Sequence, residues 1–273
     1  MRYKKDTDLV AKFEQAKELG LTCCQLTMWD PSMFCEEYAQ KIKEACEKTG
    51  FEVCAIWAGW SGPCEWNFSF GPTTLGLVPP AYRFVRLKEL QLASDFAALL
   101  GIDTVITHVG FLPENPSDPD FIGTVGALRK LCKEMKEKGQ LFLFETGQET
   151  PVTLLRTIEA IGTGNVGINL DTGNLILYGK ANPLDALDVF GSYVRQTHIK
   201  DGFYPTDGMK LGKEARAGDG KANIPAVIAK LCDLNYNGPY VIEREISGEE
   251  QIRDIAHARD LIKTTLDRIS SQQ

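Results

Sequence analysis

Four residues set the chemical question in this sequence: Glu145, Asp171, His198 and Glu243. Each follows a short apolar run with the length of a buried strand, Leu141-Phe-Leu-Phe, Val166-Gly-Ile-Asn-Leu, Val194-Arg-Gln-Thr and Tyr240-Val-Ile respectively. In barrel enzymes the C-terminal ends of the strands carry the chemistry. Three carboxylates and one imidazole at four such ends read as a metal site. Hard oxygen donors with a single imidazole and no thiolate favour one divalent ion, Mn2+ first and Mg2+ or Co2+ after it, over structural zinc. Taken singly, each residue has a plainer role: Glu145 and Glu243 as ion-pair partners of Arg244 or Lys200, and Asp171 before Thr-Gly as a turn. Four at equivalent positions are harder to explain that way.

The elements that position them alternate helix and strand. Leu9, Val10, Phe13, Ala16 and Leu19 form one helical stripe ending at Gly20, and Pro31-Ser32 opens a helix that closes at Gly50. Helices are also predicted over 82–100, 121–138, 151–161, 183–190, 224–234 and 248–269. Strands begin near 21, 51, 104, 140, 166, 194 and 239. Alternation of this kind implies a parallel sheet with crossover helices. The reading is α/β, a (β/α)8 TIM barrel forming a single domain over 1–273, a length that suits a barrel of about 250 residues. Seven strands are clear, and Met1 to Lys5 is too short and charged to be a good eighth. The first strand is therefore expected as a stub or missing, the gap being covered by the last helix or a partner subunit.

Ala58 to Ala81 has neither helical nor strand period and carries Trp60, Trp66, Phe68 and Phe70. It leaves the C-terminal end of a strand that contains Trp57, so its aromatics suit a lid stacking on the apolar faces of a sugar, or a plug for the barrel end. His108, at the end of its own strand, is read as a second base, a hydrogen-bond partner for a substrate hydroxyl, or a structural residue bonded to a loop carbonyl.

A formal net charge of -7 and no basic patch argue against nucleic acid or an anionic membrane as partner. Eight cysteines without a CxxC pair fit reduced core thiols. The N-terminus lacks an apolar signal core and no run of 18 apolar residues occurs, so a soluble, cytoplasmic protein is expected.

The segments Asn169-Leu-Asp171-Thr-Gly-Asn174, His198-Ile-Lys-Asp201 and Gly238-Pro-Tyr-Val-Ile-Glu243, with Gly218-Asp-Gly220 before a helix, resemble the sugar phosphate isomerase/epimerase superfamily with its xylose-isomerase-like TIM barrel, which includes the D-tagatose 3-epimerase group. The resemblance covers nearly the whole chain. It implies that Glu145, Asp171, His198 and Glu243 hold one divalent ion and that Glu145 and Glu243 are the acid/base pair. An ion holding a ketose carbonyl and the adjacent hydroxyl acidifies the C–H between them and stabilises the enediolate. Proton return to that carbon from the other carboxylate gives an epimer, and return to the next carbon gives aldose–ketose isomerisation.

Two positions depart from the pattern: Asn174 stands where these epimerases commonly carry His, and Tyr204 where they carry Arg. Asn174 remains a candidate substrate contact. Arg216 is a candidate replacement cation or a solvated charge. Lys200 and Arg244 alternate away from the ligands beside them and are expected in ion pairs outside the site.

The leading expectation is a metal-dependent epimerase or isomerase of a ketose or related sugar derivative, working as a homo-oligomer. The alternative is a lyase subunit of C-glycoside deglycosidase type acting on 3-oxo-glycosides, in complex with a small subunit. A DNA-repair endonuclease needs many more histidines than the three here, and a sugar-binding protein without catalysis needs no metal.

Overall fold

Helix and strand alternate along the computed structural model, which describes residues 1–271; the last two positions of the expected domain lie outside the described residues. The strands are β1 (Cys23–Met28), β2 (Glu52–Ala58), β3 (Thr104–Thr107), β4 (Leu141–Glu145), β5 (Val166–Asp171), β6 (Val194–Ile199), β7 (Asp201–Phe203), β8 (Lys213–Ala215) and β9 (Tyr240–Ile242). The helices are α1 (Leu9–Glu18), α2 (Glu36–Thr49), α3 (Gly71–Thr74), α4 (Pro80–Leu100), α5 (Pro119–Glu137), α6 (Pro151–Ile161), α7 (Thr172–Leu177), α8 (Pro183–Phe190), α9 (Ile224–Asp233) and α10 (Glu249–Ser270). Seven strands form one parallel sheet in the order β1-β2-β3-β4-β5-β6-β9, the seven read from the sequence. This is a (β/α)8 TIM-barrel fold one strand short.

Where strand one of such a barrel would lie, the chain makes only a stub. Arg2 bridges Thr27 in parallel, with Tyr3 N–H donating to the Thr27 carbonyl and Thr27 N–H to the Met1 carbonyl, both at 2.9 Å. Tyr3 is buried, while the charged residues around it remain exposed, which limits the pairing to one bridge.

The helices follow the burial pattern that sequence periodicity predicts. In α2, Ala39, Ile42, Ala45 and Thr49 face inward, and Gly50 ends the helix at φ 67°. One helix reads differently from the sequence. The Pro31 to Gly50 segment opens as a 3-10 turn, Pro31–Met33, and Cys35 is extended before α2 begins. Met33 and Phe34 are buried by that break, the Phe34 ring 5.5 Å from Phe96. Hydrophobic burial outweighs continuation of the helix there.

The chain groups into two compact units. The first comprises Met1–Glu65, Gly71–Phe144 and Ile158–Gly167. Its core includes a cluster of Ala55, Trp57, Trp60, Leu75, Ile106 and Leu143. The second comprises Trp66–Phe70, Glu145–Thr157 and the chain from Ile168 onward. Its core is built on Ile176, Ile199, Ala222, Ile224, Ile228, Ala258 and Ile262, from α7, β6, α9, α10 and the turn before α9. The second unit also holds an antiparallel ribbon, β7 with β8, whose three-residue strands are too short to leave a period in the sequence.

Within the first unit, the irregular chain after β2 is fastened. Arg86 of α4 is 1 % exposed and donates to the carbonyls of Ser61 (3.1 Å), Pro63 (2.8 Å), Thr74 (2.6 Å) and Gly76 (2.8 Å). Its guanidinium also lies over Tyr82 and Trp60, 4.6 and 5.3 Å from the ring centroids. A planar five-donor group suits this task, since one side chain serves carbonyls that no strand or helix pairs. The tied carbonyls lie at the two ends of this stretch, and Trp66 and Phe70 between them stay exposed. Among the described residues no helix is long and apolar enough to cross a membrane.

Arg86→Met leaves those carbonyls without their donor and is expected to destabilise the protein by about 3 kcal/mol or more. Urea unfolding followed by tryptophan fluorescence measures this, and a midpoint equal to wild type would show that the loop is held by other contacts.

Candidate metal centre

Parallel register brings the four chemical residues to one level of the second unit. Asp171 at the end of β5 pairs with His198 of β6, and His198 with Val241 of β9, two residues before Glu243. The Glu243 N–H continues that ladder by donating to the Ile199 carbonyl at 3.2 Å. Glu145 is tied in by the residue after it: the Thr146 hydroxyl donates to the Asp171 carbonyl (3.0 Å) and accepts from the Asp171 N–H (2.9 Å).

The side chains then converge. His198 Nδ1 lies 3.1 Å from Glu145 Oε1, 3.5 Å from Glu243 Oε2 and 3.6 Å from Asp171 Oδ2. One ligand atom from each of the four lies within 4.8 Å of all the others. Asp171 uses its two oxygens differently. Oδ1 caps α7 by accepting the Asn174 N–H at 2.7 Å, while the buried Oδ2 has no hydrogen-bond partner. Glu145, Asp171 and His198 are buried, and the Glu243 side chain is 31 % exposed.

Lys200 belongs to this cluster and does not pair outside it as expected. It stands two residues after His198, and the strand period of two puts both on one face. Its ammonium, 1 % exposed, lies 3.0 Å from Glu243 Oε2, 3.8 Å from Asp171 Oδ2 and 3.0 Å from Glu245. Arg244 does pair outside the centre, with Glu214 at 3.1 Å and Asp254 at 2.8 Å.

The electrostatics define what fits. Burial pushes the Asp171 carboxyl up to about 7, Lys200 and His198 opposing it. For Glu243 burial again works upward, but Lys200 and then His198 reverse it and hold the carboxyl well below the usual range. Burial works against the charged forms of His198 and Lys200, and the carboxylates overcome it, raising both well above their ordinary values. With Asp171 ionised and His198 neutral, three carboxylates against one buried ammonium leave an excess of two negative charges, the charge of one divalent cation. The unpartnered Asp171 Oδ2 beside an imidazole nitrogen and two carboxylate oxygens suits a hard divalent ion.

The other predicted site residues are placed as follows. Asn174 Nδ2 lies 3.4 Å from Glu145 Oε1. Arg216 donates to the Asp219 carboxylate at 2.9 Å, both side chains about half exposed. In the first unit Trp57, Trp60 and His108 are buried, at 5 %, 3 % and 4 % exposure, with the His108 ring edge-on to Trp57 at 5.9 Å.

Sequence reasoning missed Asp201. Its carboxylate accepts the N–H groups of Gly202 (2.8 Å), Gly218 (2.9 Å), Gly220 (3.0 Å) and Ala222 (2.9 Å), shaping the Gly218-Asp-Gly220 loop around itself. Gly220 is required by space, because a Cβ there would come 2.1 Å from Asp201 Oδ1. The loop partners of Asp201 lie 17 to 21 residues later, beyond the reach of any local spacing rule.

A parallel sheet with crossover helices, carrying three carboxylates and one imidazole at its strand ends, defines an α/β barrel with a cluster that could hold a metal ion. A xylose isomerase-like TIM barrel family model matches residues 13–267, and the chain belongs to that family. A solved xylose isomerase domain protein from Planctomyces limnophilus is 34 % identical, with TM-score 0.90 over 94 % of this chain and 93 % of that one. A xylose isomerase-like TIM barrel protein from Mycobacterium smegmatis, solved with magnesium, is 18 % identical with TM-score 0.73 over 97 % and 91 %. D-psicose 3-epimerase from Clostridium cellulolyticum H10, solved with D-tagatose, is 16 % identical with TM-score 0.69 over 97 % and 95 %.

The shifts fix the sign of a pH dependence. The Asp171 carboxyl rises from 3.8 to about 7 on folding, so its ionisation weakens the metal-free protein as pH increases through that window. Raised His198 acts in the same direction above its ordinary 6.5, while lowered Glu243 matters only below 4.5. Stability of the metal-free protein is therefore expected to fall from pH 5 to 8. Mn2+, which competes with these protons, should raise Tm by roughly 5–10 °C at a hundred times its Kd at pH 8, and by less at pH 5.5. Differential scanning fluorimetry checks this; an equal shift at both pH values would remove the four-residue cluster as the binding site.

Proposed function

We propose that the protein is a divalent-metal-dependent epimerase or isomerase of a ketose or a related sugar derivative, with Glu145 and Glu243 as its acid/base pair. The observation that carries this is the convergence of those two carboxylates, from the tips of β4 and β9, on one imidazole nitrogen beside Asp171. Glu145, Asp171, His198 and Glu243 would hold the ion, with Mn2+ preferred for the donor set and Mg2+ or Co2+ as further fits. When bound, such an ion polarises a carbonyl and the neighbouring hydroxyl and so acidifies the C–H between them. One glutamate then takes the proton from that carbon. Delivery from the other glutamate to the opposite face inverts the carbon, and delivery to the adjacent carbon interconverts ketose and aldose.

The magnesium and D-tagatose in the two more distant relatives are in keeping with this reading, as is a family match over residues 13–267. Asn174 is assigned to the proton-transfer side. Eight cysteines without a CxxC pair suit the reducing cytoplasm.

The Mn2+-loaded protein is incubated in D2O with a panel of ketoses and with 3-oxo-glycosides, and the products are followed by NMR. Deuterium entering the carbon next to the carbonyl is expected in wild type, with a loss of at least about a thousandfold in Glu145→Gln and in Glu243→Gln. Full exchange in either variant removes that residue from the pair. Release of an aglycone from a 3-oxo-glycoside without exchange into any ketose assigns the site to the lyase class.

A further inference from the structure

Asn174 and Lys200 make contacts around the centre that a four-ligand shell does not require. Lys200 Nζ donates to Glu243 Oε2 at 3.0 Å and to Asn174 Oδ1 at 3.1 Å. The same amide turns Nδ2 toward Glu145 Oε1 at 3.4 Å. An ammonium can only donate, so its contact fixes which end of the amide is oxygen and leaves the NH2 for Glu145. The result is a continuous bridge, carboxylate to amide to ammonium to carboxylate, between the tips of β4 and β9.

The chain around the bridge is shaped to it. The Asn174 N–H is held by Asp171 Oδ1 at 2.7 Å. The Thr172 hydroxyl donates to the Lys200 carbonyl at 2.5 Å and accepts the Lys200 N–H at 3.2 Å. Gly173 leaves the passage for the lysine stem, because a Cβ there would lie 2.6 Å from Lys200 Cγ. Every residue from Asp171 to Asn174 thus has a part in the centre or in seating Lys200. Glu245 holds the ammonium from the exposed side, also at 3.0 Å.

We infer that Asn174 and Lys200 form a brace that holds the Glu145 and Glu243 carboxylates at a fixed separation and aims both at the metal position, with or without a cation. This rests on the metal-dependent reading above and makes the two residues positioning residues. A competing role exists for Lys200 alone: a buried positive charge that merely offsets the carboxylates. The two roles predict opposite signs. A lone offsetting charge repels a divalent ion, so its removal tightens cation binding. Loss of a brace disorders two ligands and weakens it, by about tenfold on the scale of residues that orient metal ligands.

The test uses the full-length protein, Mn2+ alone as the probe, and Asn174→Leu, Lys200→Met and the double variant. Mn2+ affinity is measured by isothermal titration calorimetry and the bound ion's geometry by its electron paramagnetic resonance line shape. The expected result is Mn2+ binding weakened about tenfold in each single variant, no further loss in the double variant, and an altered line shape in Asn174→Leu, whose charge is unchanged. Tighter binding in Lys200→Met, multiplied effects in the double variant, or wild-type affinity and line shape in Asn174→Leu each overturn the brace. If Lys200→Met does not fold, Asn174→Leu decides alone. A wild-type protein that binds no Mn2+ overturns the metal reading itself, which is a different result from a wild type that binds with the brace variants unaffected.

Discussion

The arrangement depends on one electrostatic constraint: three carboxylates from three strand ends meet around a single imidazole nitrogen, 3.1 to 3.6 Å away, with one buried ammonium among them. Like charges at such separations in a protein interior are costly, and the chain offsets only part of that cost from its own residues. A raised Asp171 and a raised His198 are the signature of the remainder, since both hold protons that a cation would displace. The imbalance that weakens the protein is one that a doubly charged ion would relieve.

Rigidity around the centre follows from that imbalance, because mutually repelling ligands stay together only if each is tied elsewhere. Asp171 is held by capping α7, Glu145 through Thr146, and Glu243 by Lys200 and by the backbone ladder to Ile199. Asp201 extends the same logic outward, using one carboxylate to gather four backbone N–H groups of the neighbouring loop and ribbon. In the first unit Arg86 does the complementary job with five donors and four carbonyls. In both places one charged side chain organises a stretch that lacks regular secondary structure, since irregular backbone must satisfy its polar groups somehow.

The Asn174 position connects this chain's departure from the epimerase pattern to its own architecture. The amide there accepts from the Lys200 ammonium through Oδ1 and turns its NH2 toward Glu145. Asn174 and Lys200 form a matched pair, and Gly173 and Thr172 are the residues that let the lysine reach it. The segment that most clearly marks the family is therefore also where this chain's own centre is built.

Much of the fold was legible from the residues alone. Seven parallel strands, their crossover helices and the placing of Glu145, Asp171, His198 and Glu243 at strand ends follow from apolar runs, helical stripes, and Gly and Pro punctuation. These are local signals, and each of the four residues is the last or nearly the last of its own run. What the tertiary structure alone decided rests on partners far along the chain. Lys200 shares the face of His198, two residues before it, but its partners Glu243 and Asn174 lie 43 and 26 residues away. Arg86 fastens carbonyls 10 to 25 residues before it, and Asp201 meets amides up to 21 residues later. Register set by neighbouring strands, not the order of residues within them, converts four separate strand tips into one centre.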